Sequence, residues 1–274
     1  MKKTFAAFGL LSLTTFFISG CLIFEDPDKE KSMPSDMSVA EISERMEKAS
    51  DPNDCYRKSK SYILKQEMKT TAGGKEVTYI VEVKFKLPNF LRTTTLLNNK
   101  PIFAVLFDGT HAWNIDVPTG KSAPVKGKGL ELVKTFSAIG HPANTLTSVF
   151  PEIEVSEVKD GTKEYYKLVC QAKYKDIDPY IMYVGKNNFL TKKLVTTMYA
   201  RGTTYKYVSL IDRYSIYKGV MMASESTVFV NNDKQLFHTI DFQLNVDIPD
   251  SDFELPVPWY NQKYNSPLKG AEKK

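Results

Sequence analysis

The sequence has few of the residues that carry most enzyme chemistry. Histidine occurs three times in 274 residues. His111, His141 and His238 stand apart, with no HExxH pattern and no Cys or carboxylate partner at metal-ligand spacing. No metal site and no cofactor is expected. His238 falls within an apolar alternation, which suits an interior or cavity-lining side chain better than a ligand or base. A GxSxG elbow is missing, which removes the common serine-hydrolase arrangement. Gly120, Lys121 and Ser122 mimic the end of a phosphate loop, but Ile115 stands where its first glycine is required, so a hairpin turn is expected. The acidic run Asp247, Asp250, Asp252 and Glu254 lacks the glycine and spacing of a calcium loop and reads as a solvated turn before a final strand. The chain is therefore read as non-enzymatic.

Charge is nearly balanced. Thirty-seven Lys and Arg face 32 Asp and Glu, a formal net charge of +5, and Lys2 and Lys3 account for part of the excess. The cations are spread along the chain, without the concentrated patch of a nucleic-acid binder. The stretch holding Lys121, Lys126, Lys128, Gly127 and Gly129 reads as a solvated loop. Cysteine is scarce too, at three.

An ordered N-terminal signal is present. Lys2 and Lys3 precede the uncharged, mostly apolar run Phe5 to Gly20, which closes on Ser19 and Gly20. This is the charge, apolar core and small-residue order of a secretory signal. The run is shorter than the about 20 residues of a membrane span. Ile18, Ser19, Gly20 and Cys21 resemble the lipobox of bacterial lipoproteins. That resemblance implies cleavage after Gly20, thioether attachment of diacylglycerol to Cys21, and acylation, commonly by palmitate, of its new amine. Two or three chains anchor durably, since each buried methylene contributes about 0.8 kcal/mol. Leu22 beside the lipidated cysteine, rather than aspartate, implies the outer membrane, facing the periplasm. With Cys21 lipidated, Cys55 and Cys170 remain. An exported location permits a disulfide between them, which would stabilise by about 5 kcal/mol in the chain-entropy account; two separate buried thiols are the alternative.

Four segments follow. Residues 1–20 form the signal, and 21–36 the lipidated cysteine and a polar tether. Residues 37–258 form one domain, and 259–274 a polar basic tail. Within the domain, Ser38 and Glu41 have capping-box spacing ahead of Val39, Ile42 and Met46, predicting a helix over 39–48 that Asp51 and Pro52 end. From Ser59 the period becomes two. Val77, Tyr79, Val81, Val83, Phe85 and Leu87 alternate with Thr78, Glu82, Lys84 and Lys86. Gly73–Gly74, Asn98–Asn99 and Asp108–Gly109 mark turns of an antiparallel meander. Leu130, Leu132, Val133, Phe136 and Ile139 predict a helical interlude over 129–139, with a second short helix within 141–150. Strands then resume to Val246, the last placing Leu236, His238, Ile240, Phe242 and Leu244 on one face, and a closing strand is expected at Phe253 to Leu255.

The segments LFDGTHAWNID (Leu106 to Asp116), YVGKNNFLTKKLV (Tyr183 to Val195) and SDFELPVP (Ser251 to Pro258) resemble, in this order, the aspartate-glycine hairpin, turn-strand hairpin and closing strand of the LolA/LolB-like superfamily of envelope lipoprotein carriers. The resemblance spans Val39 to Pro256. It implies a mainly β fold: a curved, incompletely closed antiparallel barrel with covering helices. About ten or eleven strands are expected. It also implies a cavity for acyl chains or other apolar ligands. The alternation places Tyr79, Val81, Val83, Phe85, Ile240, Phe242 and Leu244 on the concave face as the cavity lining.

Two functions suit these features. One is a membrane-tethered lipoprotein that holds an acyl chain, lipid or lipoprotein non-covalently, for lipid or lipoprotein traffic in the envelope. The other is an envelope scaffold or partner-sensing lipoprotein whose core its own side chains fill.

Overall fold

The computed structural model describes residues 30–173, 176–200 and 202–255. The signal, Cys21 and the C-terminal tail therefore lie outside the described residues. The described chain is mainly β and builds a single antiparallel sheet of fourteen strands.

The strands are β1 (Ser32–Pro34), β2 (Ser61–Ala72), β3 (Lys75–Lys86), β4 (Phe90–Leu97), β5 (Lys100–Phe107), β6 (Ala112–Asp116) and β7 (Lys121–Val125). After a helical interlude come β8 (Glu152–Asp160), β9 (Lys163–Gln171), β10 (Tyr180–Gly185), β11 (Thr191–Ala200), β12 (Thr203–Tyr217), β13 (Val220–Val230) and β14 (Asp233–Leu244). Their order across the sheet is β1-β8-β9-β10-β11-β12-β13-β14-β2-β3-β4-β5-β6-β7. Two meanders are thus joined at β14–β2. The sheet curves but does not close: among the described residues β1 and β7 are its two edges.

Local chemistry accounts for the joints. Asn98 and Asn99 both take positive φ, 52° and 60°, the pair of left-handed residues that a tight hairpin with a primed turn requires. Asp108 Oδ1 accepts the N–H groups of Thr110 and His111 at 2.8 and 2.7 Å, closing the aspartate-glycine turn.

The helices lie on the concave side. Helix α1 (Val39–Ser50) begins with the expected capping box: Ser38 N–H donates to Glu41 Oε2 at 2.9 Å, and Glu41 N–H to Ser38 Oγ at 3.3 Å. Asp51 ends it and receives the N–H groups of Cys55, Tyr56 and Arg57 on its carboxylate. Helix α2 (Lys128–Ile139) lies across the curved sheet. Its Leu130 and Val133 pack on Phe103, Val105 and Phe107 of β5, while Leu132 and Phe136 join Tyr180, Leu168 and Met198 on the other wing. A one-turn helix, α3 (Leu146–Val149), follows.

Three expectations need correction. Fourteen strands form instead of ten or eleven, and the additions include both edges. Residues read as tether supply β1, and the lysine-bearing stretch read as a loop supplies β7. Such edges are almost wholly exposed, so they carry no alternation to detect. The closing strand at Phe253 is instead a 3₁₀ turn, Asp250–Phe253. Its acids are not merely solvated: Asp252 and Asp250 pair with Lys84 and Lys86 at 2.9 and 2.6 Å. This seats Ile248 and Phe253 on Ala104, Leu106 and Ile115, on the outer side of β5 and β6. Finally, the register of β14 shifts between Thr239 and Asp241. A bulge at Ile240 reverses which residues face inward. Gln235 and Thr239 are buried before it and Phe242 after it, while Leu236, His238 and Ile240 are exposed.

Candidate functional site

Among the described residues, the expected lining residues are not gathered around one cavity. Val83, Phe85, Phe242 and Leu244 do come together, but in a filled cluster with Tyr62, Val220 and Tyr56. Tyr62 lies 5.9 Å from the Phe242 ring and 5.6 Å from that of Tyr56. His141 closes the end of the cluster, edge-on to Phe85 at 5.4 Å, with its Nε2 3.0 Å from the Pro88 carbonyl. Tyr79 is buried at 5 % exposure and Val81 is half-buried; neither belongs to this cluster. Ile240 is 48 % exposed, turned outward by the bulge. His238 is exposed as well, not interior.

An open part of the concave side lies under α1 and α3. A cavity of about 420 Å³ sits between these helices and the strands β10 to β13. Its helical wall carries Met46, Leu146 and Val149; its strand wall carries Met182, Met221, Met222 and Ala223. Phe189 and Leu190, at the turn between β10 and β11, form one margin. None of the expected lining residues borders it. The lining is mostly apolar, relieved by Ser43, Glu47, Ser50, Asn144 and Thr145 at the α1–α3 side. The volume lies in the range of about 300–1,000 Å³ usual for small-ligand pockets. Methionines give a wall that can re-pack around differing chains, because the side chain is unbranched and polarisable.

Fixed contacts hold the rim. Phe189 adopts φ 54°, which projects its ring under the Arg45 guanidinium at 5.0 Å and against Tyr166 at 6.0 Å. Glu47 on α1 pairs with Arg57. Tyr214 donates to the Thr191 carbonyl at 2.5 Å, and its burial pushes the pKa of its hydroxyl well above the ordinary range, which keeps it protonated. The approach to α1 is tied by Asp36, which accepts from Tyr166 Oη at 2.9 Å and pairs with Lys186 at 3.1 Å. The Tyr166 hydrogen bond, then that of Lys186, holds the Asp36 carboxyl below its ordinary 3.8. For Lys186 burial opposes the charge, but hydrogen bonds to Glu157 and Asp36 outweigh it and raise the ammonium. Among the described residues no group of His, Cys, Asp and Glu is arranged to hold a metal ion.

The two thiols considered for a disulfide are both free. Cys170 is fully buried in the core between the sheet and α1–α2, whereas Cys55 is half-buried beside Tyr56 and Gly219. The thiols are thus separate, and of the alternative of two buried thiols only Cys170 is buried. A second, more polar cleft of about 740 Å³ lies near Cys55, bordered by Lys58, Lys218, Asp241 and Leu244.

An open, curved antiparallel sheet with helices across its concavity matches solved structures. A LolA superfamily protein from Nitrosomonas europaea superposes with a TM-score of 0.56 at 14 % identity, covering 80 % of this chain and 98 % of that one. The chain has a LolA-like fold. A domain described as an outer membrane lipoprotein-sorting protein, from Vibrio parahaemolyticus, gives 0.53 at 12 % identity, over 78 % and 95 % of the two chains. A DUF1329 family protein from Desulfovibrio piger gives the same score, identity and coverage. The sequence itself matches no family model and no curated protein. The LolA-like likeness thus resides in the architecture: sheet order, curvature and helical cover.

Proposed function

We propose that this protein is a membrane-tethered envelope lipoprotein that binds an apolar ligand reversibly under α1 and α3. An acyl chain, free or carried on a lipid or lipoprotein, fits the site. The observation that carries the reading is the apolar cavity bordered by Met46, Met182, Met221 and Met222, beside the packed cluster of Tyr62, Phe85 and Phe242. The LolA-like fold and the ISGC segment ending at Cys21 support it. Burial of apolar surface at about 25 cal/mol per Å² supplies the driving force, and no covalent step is required. The ligand enters between α1 and the β10–β11 turn, where Phe189 stands at the margin. Envelope placement follows from the lipid anchor, with the outer membrane favoured by Leu22.

The test is displacement of a fluorescent fatty acid from the purified protein. Ala223→Trp fills the cavity and is expected to abolish binding with the fold intact by circular dichroism. If the unaltered protein takes up no probe, the ligand-binding reading fails and the filled-core scaffold reading replaces it.

A further inference from the structure

The cavity under α1 and α3 has two unlike walls. Its strand wall is apolar, with Met182, Met221, Met222 and Ala223. The face that α1 turns to it holds Ser43, Met46, Glu47 and Ser50, spaced three and four apart and so on one side of the helix. Among the described residues lining the cavity, Glu47 alone is charged, and it is an acid. Arg45, on the other flank of α1, is stacked on the Phe189 ring and does not line the cavity.

The hydrogens of this helical wall are already committed. Ser43 Oγ donates to Glu47 Oε1 at 3.3 Å, and Ser50 Oγ to the Met46 carbonyl at 2.9 Å. Asn144 Nδ2 donates to the Ala138 carbonyl at 2.9 Å. A guest therefore meets mostly lone pairs: those of the Glu47 carboxylate, of the two hydroxyls and of the Asn144 amide oxygen. Such a wall accepts from N–H and O–H groups and repels an oxyanion.

The space continues outward with the same sign. A polar cleft of about 490 Å³ adjoins the cavity and shares Glu47, Ser50, Ile139 and Asn144 with it. Its acids Glu44, Glu47, Asp51 and Asp54 outnumber its lysine and arginine, Lys48 and Arg57. Lys48 is paired with Glu44 and Arg57 with Glu47, so both cations are already engaged. At the junction Ile139 is 41 % exposed, an apolar step between the two spaces.

We propose that the cavity selects acyl chains whose polar end is uncharged and donates hydrogen bonds, an amide or a hydroxyl-bearing ester, and disfavours a free carboxylate. The chain lies on the methionine wall. The donating end sits at Glu47, Ser50 and Asn144, and a larger end group continues into the adjoining cleft. This deepens the acyl-chain reading of the cavity and rests on it.

The test is displacement of the fluorescent fatty acid from the purified full chain at mildly alkaline pH, where a free acid is ionised. Three competitors share one chain length: dodecanamide donates, methyl dodecanoate is neutral without a donor, and dodecanoate is an anion. The amide is expected to compete about tenfold more strongly than either of the others. In the double variant Glu47→Gln/Arg57→Gln, which removes the acid without freeing its cation, that lead should shrink several-fold. In Ala223→Trp no probe should be taken up. Equal competition by the three, or a lead for the ester or for dodecanoate, would overturn the selectivity and leave the cavity reading standing. A lead that the double variant leaves undiminished would overturn it too. No uptake of probe by the unaltered protein, or uptake that Ala223→Trp leaves unchanged, would overturn the cavity reading and this inference with it.

Discussion

Tyr62 stacks on Phe85 with ring centroids 5.2 Å apart and planes inclined by only 12°. The pair marks the boundary between the packed and open parts of the concave face. Above it, the hydroxyls of Tyr62 and Tyr56 both donate to the Gly140 carbonyl, at 3.1 and 2.5 Å, which moors the C-terminal end of α2 to the sheet. Burial raises the Tyr62 hydroxyl to about 12, so it remains a donor across the physiological range.

A methyl group at position 140 has nowhere to go. A Cβ built on Gly140 would stand 2.9 Å from Tyr62 Oη, and Tyr62 is itself buried. Gly140→Ala is therefore expected to destabilise the fold by about 1–3 kcal/mol. Urea titration would show it as a lower midpoint with an unchanged slope.

Phe242 and Ile240 should behave as opposites although they are two residues apart. Phe242→Ala removes a ring packed against Tyr56 and Tyr62 and is expected to cost about 3–5 kcal/mol. Ile240→Lys, on the outward bulge, should change stability by less than about 0.5 kcal/mol. Equal losses in the two variants would contradict the register shift in β14.

Acid should loosen the approach to α1. Asp36 has a lowered carboxyl in the folded protein, so it contributes stability above its ordinary 3.8 and loses it as pH falls through the folded value. Asp36→Asn should flatten that part of the acid limb, read by denaturant midpoints taken at neutral pH and in strong acid. An unchanged limb would show that the Tyr166 and Lys186 contacts do not stabilise the charged form.

Thiol labelling should separate the cysteines. Burial pushes the Cys170 thiol up to about 12, so it should resist iodoacetamide until the protein unfolds. Half-buried Cys55 should label in the native state. A mass matching a Cys55–Cys170 bridge would contradict both expectations.

Much of this architecture was legible because short-range chemistry determines it. Ser38 with Glu41, Asn98 with Asn99, and Asp108 with Gly109 each act through bonds spanning a few residues. The false face at β14 has a different origin. Leu236, His238, Ile240, Phe242 and Leu244 keep a two-residue period through the bulge, while the side chains facing inward before it include Gln235 and Thr239. Thr239 is tolerated there because it donates to the Ala223 carbonyl at 2.8 Å and accepts from Gln66 at 3.2 Å. No pattern within one strand reveals such a partner. The cavity was missed for a related reason: Met46, Leu146, Met182 and Met222 lie far apart in sequence and meet only when α1 and α3 settle on the sheet.

Among the described residues the sheet ends on two strands that are paired on one side only, and each contains a proline: Pro34 in β1 and Pro124 in β7. Each proline removes one backbone donor from its edge. Lys121 on β7 adds a charge that any joining strand would have to accommodate. Copies meeting edge to edge would therefore find an interrupted ladder. An open barrel gains the compliance to wrap a guest, and these interruptions keep the same openness from growing into a continuous ribbon of molecules.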